Sequence, residues 1–425
     1  MFPGLYNTGL LAYTVLLRVA APFNPKARQW VDGRRNWALH LTQMLGSNTA
    51  PIAWFHAASL GEFEQGRPVM EAYRTQYPDH KILLTFFSPS GYEVRKNYAG
   101  ADYVLYLPAD TPTNARQFVG VVNPRIAFFI KYEFWYNYLR ELKAADVPTV
   151  SFSAIFRSNQ LFFRPWGGFY RKLLGYFDHI LVQNQESVDL LVSVGISNVT
   201  LAGDTRFDRV AQVAAAKQEI PVAQAFKNSQ PLLVVGSAWQ ADMDVLIPFI
   251  NQFDGSLKVI IAPHEIHDDE IERWRGQLGK PTVRYSEIMK DRTPIPTDAQ
   301  TLFIDNVGML SSLYQYGEFA CIGGAFGKGL HNILEAATFG MPLFFGPNYG
   351  KFQEAVDLVS EGAAFPVGST AEFTAAFAAQ YGNRTEAARI SRDYVQRNIG
   401  ATGKVMDVVD SYFKRRGERE KRRDR

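Results

Sequence analysis

Short apolar runs bounded by turn residues recur along the whole chain, spaced by longer stretches in which apolar and polar positions alternate with helical period. The runs predict strands at 52–57, 81–87, 103–107, 125–130, 149–154, 179–183 and 199–202. A second series follows at 232–236, 258–262, 301–304, 319–322, 342–345 and 364–367. Uninterrupted apolar strands alternating with amphipathic helices indicate βαβ units whose parallel sheet is covered on both faces. Between the two series, 207–230 is alanine-rich and polar, contains Pro221, and reads as a helical linker. The expected class is therefore α/β, with two Rossmann-like doubly wound parallel-sheet domains. Their boundaries fall at 48–206 and 231–405, after an N-terminal segment 1–47 and before a basic tail 406–425. Ligands of such sheets sit beyond the carboxyl ends of the strands, so a cleft between the two domains is expected.

The N-terminal segment changes this picture. Leu5 to Phe23 is mostly apolar and carries Arg18, and Lys26, Arg28, Arg34 and Arg35 follow it. It lacks the charged start and small-residue cleavage site of a secretory signal. It is also short of the roughly 20 apolar residues that a spanning helix needs. An interfacial or single-pass anchor with positive cytoplasmic flanks is the expectation, with a helix packed on its own domain as the alternative. The formal net charge of +3 is made by the last twelve residues, which contribute +5 against −2 for the rest. That tail suits a solvated terminus or anionic head groups. Nucleic acid is excluded as a partner, because no basic stripe interleaved with aromatics lies in the folded part. The single cysteine, Cys321, rules out an internal disulfide framework.

Candidate chemistry clusters at predicted strand ends. In "FHAASLGEFEQG", Phe55 to Gly66, Glu62 follows the first buried strand and enters a helix, where a first-turn glutamate complements the dipole or acts as a base. His56, inside the apolar run, reads as a satisfied core residue. "IKYEFWYN" sets Lys131 and Glu133 at another strand end, as an edge ion pair or as a second carboxylate able to take a different protonation role. "GDTRFDR" offers Arg206 to an anion or to a salt bridge. "GGAFGKGLHNILEAATFG" predicts a glycine-rich approach to a helix opening at 329–332, with free amides for a phosphate and Glu335 one turn beyond His331, able to accept ribose hydroxyls. The spacing matches neither the dinucleotide fingerprint nor the P-loop. Asp242 with Asp244, and His264 with His267, have metal-like spacing but no further ligands in a recognisable pattern, so no metal site is expected.

These motifs, with "IAPHE" and "DNVGML", resemble in order and spacing the bacterial 3-deoxy-D-manno-octulosonic acid (Kdo) transferases, from about Ala50 to Gly400. The resemblance implies a GT-B glycosyltransferase fold and transfer of Kdo from CMP-Kdo to a lipid A precursor, lipid IVA. It places the protein at the cytoplasmic face of the inner membrane, touching an anionic lipid surface, with neither metal nor other cofactor. It further implies that Glu62 is the general base, that Glu133 supports the transition state, and that Arg206 stands where the family usually has lysine. CMP contacts are implied at Pro263 and His264, at Gly308, Met309 and Leu310, and at Asn332, Ile333, Leu334 and Glu335. His264 replaces a usual arginine. The competing expectations are another GT-B enzyme using a UDP-sugar and a lipid acceptor, a nucleotide-sugar epimerase, and a membrane-associated binding module without catalysis.

Overall fold

The computed structural model describes residues 2–291, 294–327 and 329–423. Lys328 of the glycine-rich segment and the last two residues of the basic tail lie outside them. The described chain forms two compact units, one of residues 1–209 with 399–425 and one of residues 210–398.

The first unit is built on seven strands: β1 (Ile52–Ala57), β2 (Lys81–Phe86), β3 (Tyr103–Tyr106), β4 (Ile126–Ile130), β5 (Thr149–Ala154), β6 (His179–Val182) and β7 (Val199–Leu201). They pair in parallel in the order β3-β2-β1-β4-β5-β6-β7. Every residue of β1 and β4 is buried, because helices cover both faces. Side chains alternate across the sheet. Trp54 enters one core with Leu83, Phe118 and Phe129, and Phe55 enters the other with Tyr73, Ile126 and Phe128. The strand order reverses between β1 and β4, which is where a ligand crevice opens in such a sheet.

The N-terminal helix, Phe2–Ala20, belongs to this unit. The Tyr6 hydroxyl donates to Asp110 (2.6 Å), and Asn137 donates to Asn7 (2.9 Å). Its other side remains exposed at Leu11, Leu16 and Val19, and Phe23 beyond it is also exposed. Among the described residues no helix is long and apolar enough to cross a membrane. The basic flank divides. Arg34, counted in the positive flank, turns inward: it lies 4.0 Å from the centre of the Trp30 ring and donates to the carbonyls of Leu107 (2.8 Å) and Phe87 (2.7 Å). Burial there pushes its guanidinium down to about 9.

The second unit repeats the plan with β8 (Leu232–Ala238), β9 (Lys258–Pro263), β10 (Thr282–Arg284), β11 (Thr301–Phe303), β12 (Phe319–Ile322), β13 (Leu343–Phe345) and β14 (Ala364–Pro366). The order is β10-β11-β9-β8-β12-β13-β14, all parallel, with the reversal between β8 and β12. Val235, Ile261, Trp274, Phe344 and Phe377 lie in its core. The expected linker is helical at Thr205–Ala215 and Pro221–Lys227.

The chain then returns. The C-terminal helix, Ala401–Arg423, buries Val405, Met406 and Val409 in the Phe55 core of the first unit. Asp208 fixes its start by accepting the amides of Gly400 and Thr402, each at 2.7 Å. Residues 399–405, placed by the sequence with the second domain, thus join the first.

Candidate active site

In the first unit, β1 and β4 carry the two glutamates off the sheet at the reversal point. After β1 the chain turns at Ser59, and Glu62 lies in the first turn of the helix Leu60–Gln76, where the dipole favours a carboxylate. Its side chain is half-buried and accepts the Ser59 hydroxyl.

Glu133, three residues beyond β4, is held more firmly. It is 9% exposed, and its Oε2 takes the Trp135 indole N–H at 2.7 Å and lies 3.1 Å from Nε2 of His56. A carboxylate only accepts, so the imidazole proton points at it. The other nitrogen, Nδ1, sits 2.9 Å from the Thr85 hydroxyl, which takes the Trp54 indole N–H at 2.8 Å. His56 is fully buried, as a core histidine would be, but it is also the partner of a candidate catalytic carboxylate. Adjacent strands bring it there: His56 pairs with Thr85 on one side and Phe129 on the other. Sequence spacing hides that neighbour, 77 residues away.

Arg206 follows β7 and is paired with Asp204 (2.8 Å). The start of its helix, Thr205–Ala215, is fastened to the helix of Glu62, one turn on: the Thr205 hydroxyl donates to the Gln65 carbonyl (2.5 Å) and Gln65 donates to Asp204 (3.3 Å). Arg206 therefore shares its edge of the unit with Glu62, as part of an ion pair.

In the second unit the candidates converge at the β8–β12 reversal. Pro263 ends β9, and His264 is stacked on Trp239 and His331 with ring centres 4.4 Å and 4.3 Å away. Trp239 donates its indole N–H to Nε2 of His331 (2.9 Å). Burial, with His264 adjacent, lowers His331 to about 4, so it is a neutral acceptor at ordinary pH. Gly308 takes a left-handed turn (φ 89°) after β11, and Met309 and Leu310 open a short helix, Leu310–Leu313. From that helix the Ser311 hydroxyl donates to Glu335 (2.5 Å), and Asn332 donates to the other carboxylate oxygen (3.1 Å). The 308–311 and 332–335 segments are thereby one constellation, and Ile333 and Leu334 bury themselves behind it.

One expectation needs correction. The helix expected to open at 329–332 is one turn, Leu334–Ala337, and the Leu334 amide is already bound by Asn332 Oδ1 (3.2 Å). His331 and Glu335 therefore do not share a helix face, and the helix start offers a phosphate fewer amides. Asp242 binds backbone: it accepts the amides of Trp239 (2.9 Å) and Gly324 (3.0 Å). Burial raises its carboxyl to about 6. Asp244 takes Gln240 and His267 pairs with Glu265, both on the surface. The glycine at 323 is required: a Cβ there would lie 2.1 Å from the Ser237 carbonyl oxygen. Trp239, Gly324, Gly329 and His331 then line a cavity of about 360 Å³.

Residues 34–209 match the family described as 3-deoxy-D-manno-octulosonic-acid transferase (kdotransferase). A 3-deoxy-D-manno-octulosonic acid transferase of Bordetella pertussis is 25% identical over 431 residues, covering 94% of this chain and 99% of the relative. That of Aquifex aeolicus is 27% identical over 333 residues, covering 76% and 84%. Among solved structures, a glycosyltransferase from Rickettsia africae superposes with TM-score 0.55 at 11% identity, covering 86% of this chain and 99% of that one. A UDP-GlcNAc 2-epimerase from Methanocaldococcus jannaschii does so with TM-score 0.55 at 15% identity, covering 85% and 99%. These two establish the GT-B type of fold and nothing of the reaction. With two parallel-sheet units, a domain match over residues 34–209 and a relative aligned over nearly its whole length, the chain is similar throughout to 3-deoxy-D-manno-octulosonic acid transferases and carries that family's domain at 34–209.

Proposed function

We propose that this glycosyltransferase moves Kdo from CMP-Kdo to lipid IVA, a lipid A precursor, with inversion in one displacement. The observation that carries the reading is the pair of glutamates just beyond the strands flanking the first unit's reversal point, one of them locked by His56 and Trp135. Glu62, at a helix start and hydrogen-bonded by one serine, is suited to accept a proton. It takes that of a glucosamine hydroxyl as the hydroxyl oxygen forms a bond to the anomeric carbon of Kdo. The bond from that carbon to the CMP phosphate breaks, and CMP leaves with the electron pair. Glu133 stays fixed, its carboxylate aimed by two donors, and lends preorganised negative charge to the positively charged sugar ring of the transition state. Arg206 is the positive group offered to the leaving side. In the second unit, Glu335 suits the ribose hydroxyls, with Pro263, His264 and Gly308 to Leu310 around the base. The reading calls for no cofactor and no metal; the acidic group most suggestive of one, Asp242, already binds two amides.

The same proposal puts the protein on the cytoplasmic face of the inner membrane. Leu11, Leu16 and Val19 give the N-terminal helix an apolar outer side, and Arg18, Arg28 and Arg35 surround it with charge suited to anionic lipid.

Incubation with CMP-Kdo and lipid IVA, followed by mass spectrometry of the lipid, tests donor, acceptor and transfer together. Wild-type protein should add Kdo, and Glu62→Gln should lower the rate at least a hundredfold while CMP-Kdo binding persists. Unaltered turnover by Glu62→Gln would remove the base from the mechanism.

A further inference from the structure

Gly9 occupies the middle of the N-terminal helix, where glycine is the least favourable residue after proline. Nothing crowds it: a Cβ built there meets no atom within 4 Å. No packing constraint and no unusual backbone angle explains the residue. What it does is leave space. Gly9 lies between Leu5 and Tyr13 along a groove of about 470 Å³, closed on the far side by Phe87, Trp135 and Phe169. That volume is in the range of roughly 300–1,000 Å³ typical of small-molecule sites.

Two features define the occupant. The aromatic wall is continuous with the catalytic centre: Phe87 packs on Trp135 with ring centres 4.8 Å apart, and Trp135 donates its N–H to Glu133. Along the same helix the groove gives way, through the Tyr13–Trp30 contact (6.1 Å), to a pocket containing Arg18, Arg28 and Arg35, the last paired with Asp32 (3.2 Å). An apolar slot beside a cationic one complements a molecule with both a hydrocarbon chain and anionic groups.

We propose that this groove binds an acyl chain of the phosphorylated glycolipid acceptor, drawing its sugar toward Glu62 and Glu133; the assignment rests on the proposed function. Gly9 is a specificity residue because a bulky side chain there would reach into the slot. A phospholipid of the bilayer or a second copy of the chain are the competing occupants.

The test compares lipid IVA with its fully deacylated, still phosphorylated disaccharide as acceptors in detergent, for wild-type, Gly9→Ala and Gly9→Leu protein. Because the Cβ position is open, both variants should melt at or above the wild-type temperature. The ratio of kcat/KM for the acylated over the deacylated acceptor should fall at least tenfold in Gly9→Leu and less in Gly9→Ala. An unchanged ratio overturns the groove while leaving the transfer reaction intact. A loss confined to binding of phosphatidylglycerol vesicles, with that ratio unchanged, assigns the groove to bilayer lipid, and a loss confined to self-association assigns it to a second copy; either result overturns the proposal. Failure of the wild-type protein to glycosylate either acceptor removes the proposed function, and this assignment with it.

Discussion

Replacing His56 with leucine isolates what the buried imidazole does for Glu133. The substitution keeps an apolar side chain of similar bulk among Phe129 and Trp135 but removes Nε2, one of two donors within reach of Glu133 Oε2. A hydrogen bond to a charged group is worth about 1.5–3 kcal/mol, and Glu133, 9% exposed, has little water to replace it. If the carboxylate must hold its place as the sugar becomes cationic, that energy is lost from the transition state. At about 1.4 kcal/mol per factor of ten, kcat should fall roughly 10- to 150-fold. Thr85 limits side effects, since its hydroxyl keeps the Trp54 donor and the Phe55 carbonyl. His56→Gln, which can return an N–H near the Nε2 position, should recover most of the rate. The assay is transfer at saturating CMP-Kdo, with melting temperature measured on the same samples. A folded His56→Leu protein within twofold of the wild-type kcat, or a Gln variant no better than Leu, would refute the positioning argument and leave His56 a packing residue.

Asp242, raised to about 6 by burial, makes the second unit less stable as pH rises. The folded state binds its proton more tightly than the unfolded chain, so this contribution is full below about 4 and is lost as pH rises through 6, by about 3 kcal/mol. Asp242→Asn should therefore cost more stability at pH 4 than at pH 7, read as urea midpoints by hydrogen exchange in the second unit; a pH-independent difference would contradict burial of the carboxyl as the cause. Tyr6→Phe removes the hydroxyl that ties the N-terminal helix to Asp110, worth about 1.5–3 kcal/mol. Amide exchange in residues 2–20 should accelerate about tenfold or more, and unchanged protection would show that the helix is held elsewhere.

The alternation of apolar runs and amphipathic stretches made both sheets readable, because a parallel strand covered on both faces leaves an uninterrupted run such as IAWFHA or FACI. β10 escaped for the same reason. Its three residues are half-exposed at an edge, paired only with β11, and they form no such run. Glu62 and Glu133 were visible because charge directly after a buried strand is conspicuous. The supporting residues were not: His56 and Trp135 hold Glu133, Ser311 holds Glu335 and Trp239 holds His331, all reached through sheet order or loop packing that local spacing does not encode. The overextended helix at 329–332 shows the converse, since the glycine-rich entry stays irregular and only Leu334–Ala337 closes a turn.

Because Val405, Met406 and Val409 complete the Phe55 core and Asp208 waits for residues 400 and 402, the first unit to leave the ribosome is the last to be finished. At translation rates of about 5–20 residues per second, synthesis of the intervening unit leaves that face uncovered for roughly 10–40 s. A nascent chain stalled before residue 400 would present a sticky patch to chaperones, and a fusion or truncation that delays the last helix would be expected to aggregate even with every active-site residue in place.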